Sequence, residues 1–562
     1  MTTTRSRHPE ARGATGRRTM GLSWTADGRP VPSARRRMVP SLRRSDAFTG
    51  WAVTVGIGLL AVFLRLWKLG RAHAFLFDET YYAKDAWSLV HHGFVTGYVD
   101  GANHKILAGH LHGLWTSTPS MVVHPPLAKW LIGSSELIWG MNPFGWRFAS
   151  AIVGALMVMV MVRLARRLTG STLLGATAGL LLCFDGLQFV LSRLALVDIF
   201  MAFFLLCAVS CLVADRDWGR LRMARAVPSG YRTTGADWGP VRTMLFRPWR
   251  IAAGVCFGLA CGSKWDAVFP LAALGLLVWM WDAGARRSIG VRNARLRAAV
   301  VDAAPAFVSL VVVAFVVYVL TWTGWLLNAH AYELALSNTQ YGPYWGNYIK
   351  HDAHGFFPEL GQSLRSLWNY HVDVFDFHTQ FLNHAHHTYQ SKPEGWLILN
   401  RPVGVEADLG IKPGVDGCDA PAGSTCLRQI LLLGTPALWW GGVIALLYAV
   451  YGWIGKRDWR FGLAIVGVLS TWLPWIRYDQ RPIFSYYAIA IIPFTVLAIT
   501  LCLGNLMGSR DASPRRRQWG TVFAGAFVVL VIVNFAWFWP IYTGGLISTP
   551  HWLERIWFKQ WI

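Results

Sequence analysis

Long apolar runs, separated by short charged segments, make up most of the chain from residue 48 onward. A run of about 20 apolar residues is long enough to cross the hydrocarbon core of a bilayer as a helix. Counting these runs predicts about eleven membrane-spanning helices. Their expected bounds are 48–70, 145–162, 171–190, 195–214, 251–264, 266–283, 300–326, 430–454, 461–476, 486–507 and 519–541. The predicted fold class is an all-α polytopic membrane protein.

The predicted spans divide the chain into five parts. Residues 1–47 hold eleven Arg and three acidic residues among Gly, Pro, Ser and Thr, which is typical of a disordered basic tail. The other predicted parts are 48–326 with spans one to seven, the large loop 327–429, the C-terminal spans in 430–541 and a tail at 542–562. Within the first of these, the outer loop 71–143 is expected to hold amphipathic helices. A polar segment as long as 327–429 is usually functional.

Composition and charge support a membrane protein. The chain is 54% hydrophobic, has a mean hydropathy of +0.35 and contains 31 Trp and 30 Phe. A net charge of +23 could indicate nucleic acid, but the basic residues are concentrated in short blocks between apolar runs. With eleven spans, segments holding 34 of the 53 Lys and Arg fall on one side. The positive-inside rule predicts that this side, with the N-terminus, is cytoplasmic and that the partner surface is the lipid bilayer.

Two adjacent carboxylates, Asp78 and Glu79, directly follow the first span. An acidic pair at a membrane boundary is unusual and could accept a proton during catalysis. The structural alternative is that Asp78 caps a helix and Glu79 occupies its first turn, where carboxylates are favoured. A helix here would place Asp78, Tyr82 and Asp85 on one face. The sequence leaves both interpretations open.

Cations and other polar side chains recur on the same predicted outer side. A lone Lys or Arg near a bilayer surface most often extends toward the headgroups. Several cations that meet carboxylates instead favour a site for the phosphate of a lipid-linked donor. The candidates for this binding role are His124, Lys129, Arg147, Arg193, Asp198, Lys264, Arg477, Arg481, Tyr486 and Tyr487. One carboxylate base and a cation clamp on the leaving phosphate suffice for in-line displacement at a sugar carbon.

Histidines and cysteines raise the questions of metal and of redox compartment. His378, His384, His386 and His387 could form a cluster, but no spacing fixes a ligand geometry, so no metal is indicated. Cys418 and Cys426 lie in a polar loop and could form a disulfide if that loop faces an oxidising compartment. The other six cysteines fall in or beside apolar runs and are expected to be core residues.

Several short motifs together resemble the protein O-mannosyltransferases, membrane glycosyltransferases of the GT-C class, and most closely the actinobacterial type. The likeness covers nearly all of the chain from Ala52 onward. The motifs are Phe77-Asp78-Glu79, His124-Pro125-Pro126-Leu127-Ala128-Lys129, Trp146-Arg147-Phe148, Ser192-Arg193-Leu194-Ala195-Leu196-Val197-Asp198, Gly262-Ser263-Lys264-Trp265, the loop from His387 through Trp396 to Val403, and Phe484-Ser485-Tyr486-Tyr487. Each motif alone is weak, and their order and placement relative to the spans carry the resemblance.

The resemblance implies an eleven-span enzyme of the bacterial plasma membrane with a cytoplasmic N-terminus. It implies inverting transfer of mannose from polyprenyl-phosphate mannose to Ser or Thr of secreted proteins on the outer face, with no bound metal required. Asp78 is then the general base, Glu79 positions acceptor or base, and Arg147 is implicated in activity. Ala128 departs mildly from the family pattern, in which Gly often precedes the Lys.

Two other functions remain open from the sequence. The same architecture could use a lipid or cell-wall glycan as acceptor, and the large outer loop would decide that choice. A different class is a transporter that binds a lipid-linked sugar without chemistry. The export machinery is a further candidate partner, because secreted acceptors leave it on the outer side.

Overall fold

The computed structural model describes residues 46–227, 237–337, 353–509 and 512–562, and a pair of two-residue strands, β1 (Ser23–Trp24) and β2 (Pro30–Val31). The predicted basic tail at 1–47 lies almost entirely outside these residues. Up to residue 227 the helices and strands are α1 (Ala47–Leu66), α2 (Glu79–His92), β3 (Thr96–Tyr98), α3 (Ala102–Leu107), β4 (Trp115–Pro119), α4 (Leu127–Trp139), α5 (Pro143–Thr169), α6 (Thr172–Cys183), α7 (Gly186–Leu191) and α8 (Val197–Ala226).

Helices continue to dominate the rest of the chain. They are α9 (Arg242–Leu245), α10 (Pro248–Ser263), α11 (Val268–Ser288), α12 (Ala294–Val301), α13 (Ala303–Phe307), α14 (Val313–Thr321), α15 (Thr323–Leu327), α16 (Ala329–Ser337), α17 (Phe356–Thr379), α18 (Pro436–Ile454), α19 (Trp459–Trp472), α20 (Pro474–Arg477), α21 (Ile492–Met507), α22 (Pro514–Thr543) and α23 (Thr549–Leu553). The strands are β5 (Val403–Ile411), β6 (Cys426–Leu432) and β7 (Ile547–Ser548). Short 3-10 turns lie at Trp265–Ala267, Phe381–His384, Pro393–Ile398, Ser485–Ala490 and Lys559–Trp561, and a π-helical turn at Val308–Val312 joins α13 to α14.

The prediction of a multi-pass membrane protein of the all-α class is confirmed, since helices dominate and the strands are short. In the described part of the chain, eight helical segments are long and apolar enough to cross a membrane. They are Ala47–Leu66, Pro143–Thr169, Val197–Ala226, Trp265–Ser288, Ala303–Thr321, Pro436–Ile454, Trp459–Arg477 and Pro514–Thr543. Two more predicted spans are shorter apolar helices, α6 and α21. The count of eleven and the division into five parts stay predictions.

Several predicted spans have different bounds in the structure, and three of them show why. The third ends at Cys183, because the carboxylate of Asp185 accepts the Gln188 N–H at 2.9 Å and starts a separate helix. The eighth begins at Pro436, since residues 430–432 belong to β6. The tenth begins at Ile492, after the 3-10 turn at Ser485–Ala490. An apolar run alone does not distinguish a span from a buried strand or turn that leads into it.

A small sheet covers one part of the helical bundle. Strand β6 pairs antiparallel with both β5 and β7, so residues from the large loop and the C-terminal tail meet in one sheet. Cys418 and Cys426 are bridged beside it, with Cα atoms 5.7 Å apart. The structure therefore contains the disulfide that the sequence analysis considered possible.

We expect the Cys418–Cys426 bridge to form in the native membrane protein and to stabilise the sheet by about 2 kcal/mol, since it closes a short loop in the unfolded chain. Non-reducing peptide mapping should recover the two cysteines in one linked fragment. Replacing both with Ser should lower the apparent unfolding temperature. The expectation is wrong if both thiols of the native protein react with an alkylating reagent.

A buried ion network joins three helices of the bundle. Arg247 contacts Asp215 and Asp282, both at 2.8 Å, and Arg250 contacts the same two carboxylates at 3.0 and 2.7 Å. All four side chains are nearly inaccessible to solvent. The two arginines come from a basic block that the sequence assigned to the cytoplasmic surface. In the structure they link the start of α10 to both α8 and α11. Their burial is tolerated because each positive charge is paired with a carboxylate.

Candidate active site

The loop between α1 and α2 presents Asp78 at the start of a helix. Phe77, directly before it, has a backbone φ of 51°, which is in the left-handed region and is unfavourable for a bulky residue. Its ring packs against His387, Phe484 and Tyr486 at centroid distances of 5.6, 5.4 and 5.9 Å. These three aromatic contacts stabilise the turn that positions the Asp78 side chain.

The carboxyl of Asp78 does not cap α2. Its backbone carbonyl accepts the first helical N–H groups, but within the described structure its side chain makes no capping hydrogen bond. Burial, and to a smaller extent the nearby carboxylate of Asp198, raise the pKa of Asp78, which lies at about 6. Lys264 and hydrogen bonding from the phenols of Tyr82 and Tyr486 act in the opposite direction. A carboxyl with that pKa can accept a proton near neutral pH.

Lys264 provides a positive charge beside this carboxyl. Its Nζ lies 2.6 Å from Oδ1 of Asp198, and both side chains are almost fully buried. The same ammonium lies 3.5 Å from the ring centroid of Tyr487. Three distant segments of the chain are thus joined at one point: the turn after α10, the start of α8 and the turn before α21.

Two histidines and an arginine form the next layer of the site. The Nε2–H of His378 donates to the Val123 carbonyl at 3.0 Å, and its Nδ1 accepts from Arg481 at 2.7 Å. These contacts fix a neutral imidazole, in agreement with a pKa of His378 lowered by burial to about 4. The ring of His124 lies 5.4 Å from that of His378, and burial also holds the pKa of His124 well below its usual range. The Nε of Arg481 is buried and has no partner among the described residues.

These groups form the polar end of an otherwise apolar cavity of about 500 Å³. Polar side chains at that end are His124, Lys264, Asp266, His378 and Arg481. The apolar walls come from α11, from the π turn with α14, and from α17, and include Val268, Phe269, Leu271, Val311, Ala314, Phe315 and Phe375. Several of these wall residues are exposed on the outside of the helices. The cavity therefore suits a molecule with an apolar chain and an anionic head.

Glu79, the second predicted catalytic carboxylate, is engaged elsewhere. It is fully buried and forms a double contact with Arg147, from Nε to Oε1 at 2.8 Å and from Nη2 to Oε2 at 2.7 Å. Backbone N–H groups of Leu76 and Ala195 donate to the same two oxygens at 2.9 and 3.0 Å. Each carboxylate oxygen thus accepts two hydrogen bonds, which leaves Glu79 no oxygen free to take a proton.

Arg147 does not face the cavity either. Besides Glu79, it donates to the carbonyls of Leu69, Ala72 and Ala74 at 3.3, 2.9 and 2.8 Å. All five N–H groups of the guanidinium are used by these contacts in the described structure. The expected contact between Arg147 and a donor phosphate is therefore not supported by the geometry.

Three other predicted phosphate ligands have different surroundings. Arg193 donates to the carbonyls of Arg65 and Trp67 at 2.8 Å and so binds the carboxyl end of α1. Lys129 pairs with Asp85 at 3.0 Å, next to the site. Arg477 is exposed and does not line the cavity. Of the predicted set, the structure groups Asp78, His124, Asp198, Lys264, Arg481, Tyr486 and Tyr487.

The structure also adds residues that the sequence did not single out as site residues. Tyr82 faces Asp78, and Asp266 lines the cavity with a buried Oδ1 that has no partner in the described chain. His378 appeared in the sequence only as one of four histidines considered for metal. Among the residues that the structure describes, no three His, Cys, Asp or Glu side chains are arranged to hold a metal ion. The one-turn spacing of Tyr82 from Asp78 was the available signal for Tyr82.

Comparisons with known proteins show the family to which the chain is related. A family model described as dolichyl-phosphate-mannose-protein mannosyltransferase matches residues 55–225, and one for the C-terminal four-transmembrane region of protein O-mannosyltransferase matches 363–561. A relative from Mycobacterium tuberculosis, a polyprenol-phosphate-mannose–protein mannosyltransferase, is 37% identical over 526 residues, 92% of each chain. A Corynebacterium glutamicum protein of the same name is 30% identical over 521 residues, covering 92% of this chain and 94% of its own.

The fold has a counterpart among solved structures. The Saccharomyces cerevisiae protein O-mannosyltransferase Pmt1–Pmt2 complex, bound to the sugar donor, aligns with a TM-score of 0.68 over 96% of both chains, at 13% identity. The apolar helices and this likeness define a membrane protein with the GT-C fold, and the named relatives make it a membrane glycosyltransferase. It belongs to the protein O-mannosyltransferase family.

Proposed function

We propose that this chain transfers mannose from polyprenyl-phosphate mannose to Ser or Thr hydroxyls of proteins. The observation that carries the proposal is the position of Asp78 beside the Lys264–Asp198 pair, whose lysine lines the polar end of the apolar cavity. The names of the relatives support this donor and a protein acceptor. They do not support the two alternatives, a lipid or glycan acceptor and a transporter.

The cavity provides separate places for the two parts of the donor. The polyprenyl chain would lie along the apolar walls formed by Phe269, Val311 and Phe315, which also face outward. Its phosphate would lie at the polar end, near the ammonium of Lys264 and the Nε of Arg481, which has no partner in the described part of the chain. Two cations at that point stabilise the negative charge that develops on the leaving phosphate.

The reaction then needs one base. The acceptor hydroxyl attacks C1 of mannose while the bond from C1 to the phosphate oxygen breaks, which inverts the configuration at C1. Asp78 accepts the hydroxyl proton, and the polyprenyl phosphate leaves with the electron pair of the broken bond. The raised pKa of Asp78, about 6, makes it a stronger base than an ordinary carboxylate and still leaves it ionised at neutral pH.

The proposal includes a location. We place the protein in the bacterial plasma membrane, with the N-terminus in the cytoplasm and Asp78 on the outer side. The disulfide between Cys418 and Cys426 supports an oxidising compartment for the large loop, and the basic blocks support a cytoplasmic location for the opposite side. Secreted proteins leaving the export machinery would reach the site from the outer side.

Transfer to a peptide tests the function directly. Purified protein in detergent receives radiolabelled polyprenyl-phosphate mannose and a Ser/Thr-rich peptide, and a matched peptide with Ala at those positions serves as control. We expect label in the first peptide only. Label in a lipid or glycan, or free mannose without peptide product, would contradict a protein acceptor. No chemistry at all with bound donor would contradict the proposed reaction.

Neighbouring arginines test the phosphate site. Arg481→Gln is expected to raise the KM for the donor about tenfold or more, because it removes a charge-assisted contact with the phosphate. Arg477→Gln is the matched control: the residue is exposed outside the cavity, and we expect its KM to stay within about twofold. Equal effects in both variants would argue against a specific role of Arg481.

A further inference from the structure

Helix α17, in the large loop, carries a stripe of exposed apolar side chains. They recur every three or four residues along 24 residues, at Phe357, Leu360, Leu364, Trp368, Val372 and Phe375. This spacing places them on one face of the helix. Phe357 is 81% and Trp368 71% exposed. A continuous stripe of this kind on a protein surface indicates contact with a protein or with a membrane.

The other faces of α17 are already accounted for. Leu367, Tyr370 and Val374 are buried, and the Tyr370 hydroxyl bonds to both backbone groups of Val122 at 2.7 and 2.9 Å. A third face presents the exposed charged residues Arg365 and Asp376. The helix therefore has one side against the protein, one suited to water, and an apolar side between them.

The apolar stripe is continuous with the lipid-facing surface of the bundle. Phe375, at its C-terminal end, lines the same cavity as Val268 of α11 and Phe315 of α14. Val268 and Phe315 are 49% and 64% exposed and lie at or in segments that cross the membrane, where an exposed apolar side chain meets hydrocarbon. A surface that begins among lipid chains at Phe315 extends through Phe375 onto the stripe. This continuity identifies lipid as the occupant.

We propose that α17 lies in the membrane interface, with the stripe from Phe357 to Phe375 inserted among the acyl chains of the leaflet next to the active site. The combination of Phe, Leu and Trp on one face with charges on another is typical of interfacial helices. The last turn of the same helix carries His378, which binds Arg481 at 2.7 Å. Insertion of α17 thus holds one wall of the donor cavity at the lipid boundary.

Photo-crosslinking to lipid tests this position. Benzoylphenylalanine is introduced singly in the full chain at Leu364 or Trp368, and the protein is reconstituted in phosphatidylglycerol–phosphatidylethanolamine vesicles with acyl-tritiated phospholipid. Leu276, exposed on the spanning helix α11, is the positive control, and Arg365 and Asp376 are the negative controls. We expect lipid adducts at both stripe positions comparable with Leu276 and at least about tenfold above the negative controls. Adducts only to protein, whether the same chain or another copy, would overturn the proposal.

A kinetic measurement tests the consequence for the donor, and it rests on the proposed function. The double variant Leu364→Ser, Trp368→Ser is expected to raise the KM for a long-chain donor in vesicles by about tenfold, with little change in kcat. The KM for a short, water-soluble donor should change less than twofold. An equal rise for both donors would show that α17 acts only by supporting the fold. If no variant or wild type transfers mannose while the lipid adducts form, the proposed function fails and the interfacial position stands.

Discussion

Asp78→Asn is expected to lower the rate of mannose transfer by about 10³-fold, since a positioned general base contributes roughly 10²–10⁴-fold. The amide keeps the size of the side chain but cannot accept the hydroxyl proton. Donor affinity should change by less than about threefold, because the proposed phosphate contacts are made by Lys264 and Arg481. Single-turnover transfer to peptide and equilibrium binding of donor measure the two effects separately.

The pH dependence of the wild type provides a second measurement of the same residue. With a pKa of about 6 for Asp78, the rate should fall tenfold per pH unit below that value and level off above it. The Asn variant should lose this acid limb and show a low, flat rate. An acid limb that persists unchanged in Asp78→Asn would assign the titration to another group.

Stability should change in the direction opposite to activity. The pKa of Asp78 in the folded state, about 6, is higher than its ordinary value of 3.8, so the fold loses stability as pH rises from about 3.8 to about 6, and the loss is complete above that range. Asp78→Asn removes that cost, and the apparent unfolding temperature should rise by the full amount at pH 7.5, by about half of it at pH 5 and hardly at all at pH 3.5. Asp376→Asn, an exposed carboxylate, is the control and should change neither activity nor stability. A destabilised Asp78→Asn protein with near-normal kcat would mean that the residue has only a structural role.

The two carboxylates at 78 and 79 show a limit of prediction from sequence: it identifies the pair but not which member is available as a base. The motif made this position a candidate site, because an acidic pair after a membrane span is unusual. Adjacent residues at a helix start point about 100° apart, so the two side chains necessarily reach different surroundings. Asp78 faces Tyr82 and Tyr486, whereas Glu79 faces Arg147. Only tertiary contacts decide which one is available as a base.

The cations show a different limit. Arg147 and Arg193 lie near the predicted outer interface, and a phosphate ligand there was a reasonable expectation. In the structure both bind backbone carbonyls at and after the end of α1. The last carbonyls of any helix lack partners within the helix, so a buried end must find donors elsewhere. The spacing of basic residues along the sequence does not indicate which of them donate to the carbonyls at a helix end.

Pairings between distant segments could not be predicted either. Lys264 and Asp198 are 66 residues apart in sequence, and His378 and Arg481 are 103 apart. Each pair joins residues that lie at the ends of helices or in the turns between them. The sequence predicted the membrane fold well, since apolar runs report burial in lipid directly. It named Lys264 and Arg481 as candidates without indicating that both line one cavity.

Arg147→Met is expected to destabilise the protein by about 3–5 kcal/mol, the usual cost of removing one partner from a buried ion pair. The change leaves the Glu79 carboxylate buried with only the N–H groups of Leu76 and Ala195. It also removes the hydrogen bonds that Arg147 donates to three backbone carbonyls in the loop that carries Asp78. Thermal unfolding in detergent measures the loss, with Arg428→Met, at an exposed pair with Asp408, as a control expected to cost under about 1 kcal/mol.

The partner residue separates a positioning role from a catalytic one. Glu79→Gln should also destabilise the protein. The new amide NH₂ replaces a carboxylate oxygen that accepts two hydrogen bonds, so it would face two N–H donors and could accept from neither. The double variant should be less unstable than the sum of the two single variants, since neither charge is then left unpaired. At temperatures where these variants stay folded, we expect the acid limb near pH 6 to persist, because Asp78 remains the base. Loss of that limb in a folded Glu79→Gln protein would instead make Glu79 part of the proton transfer and require a path to it that the present geometry closes.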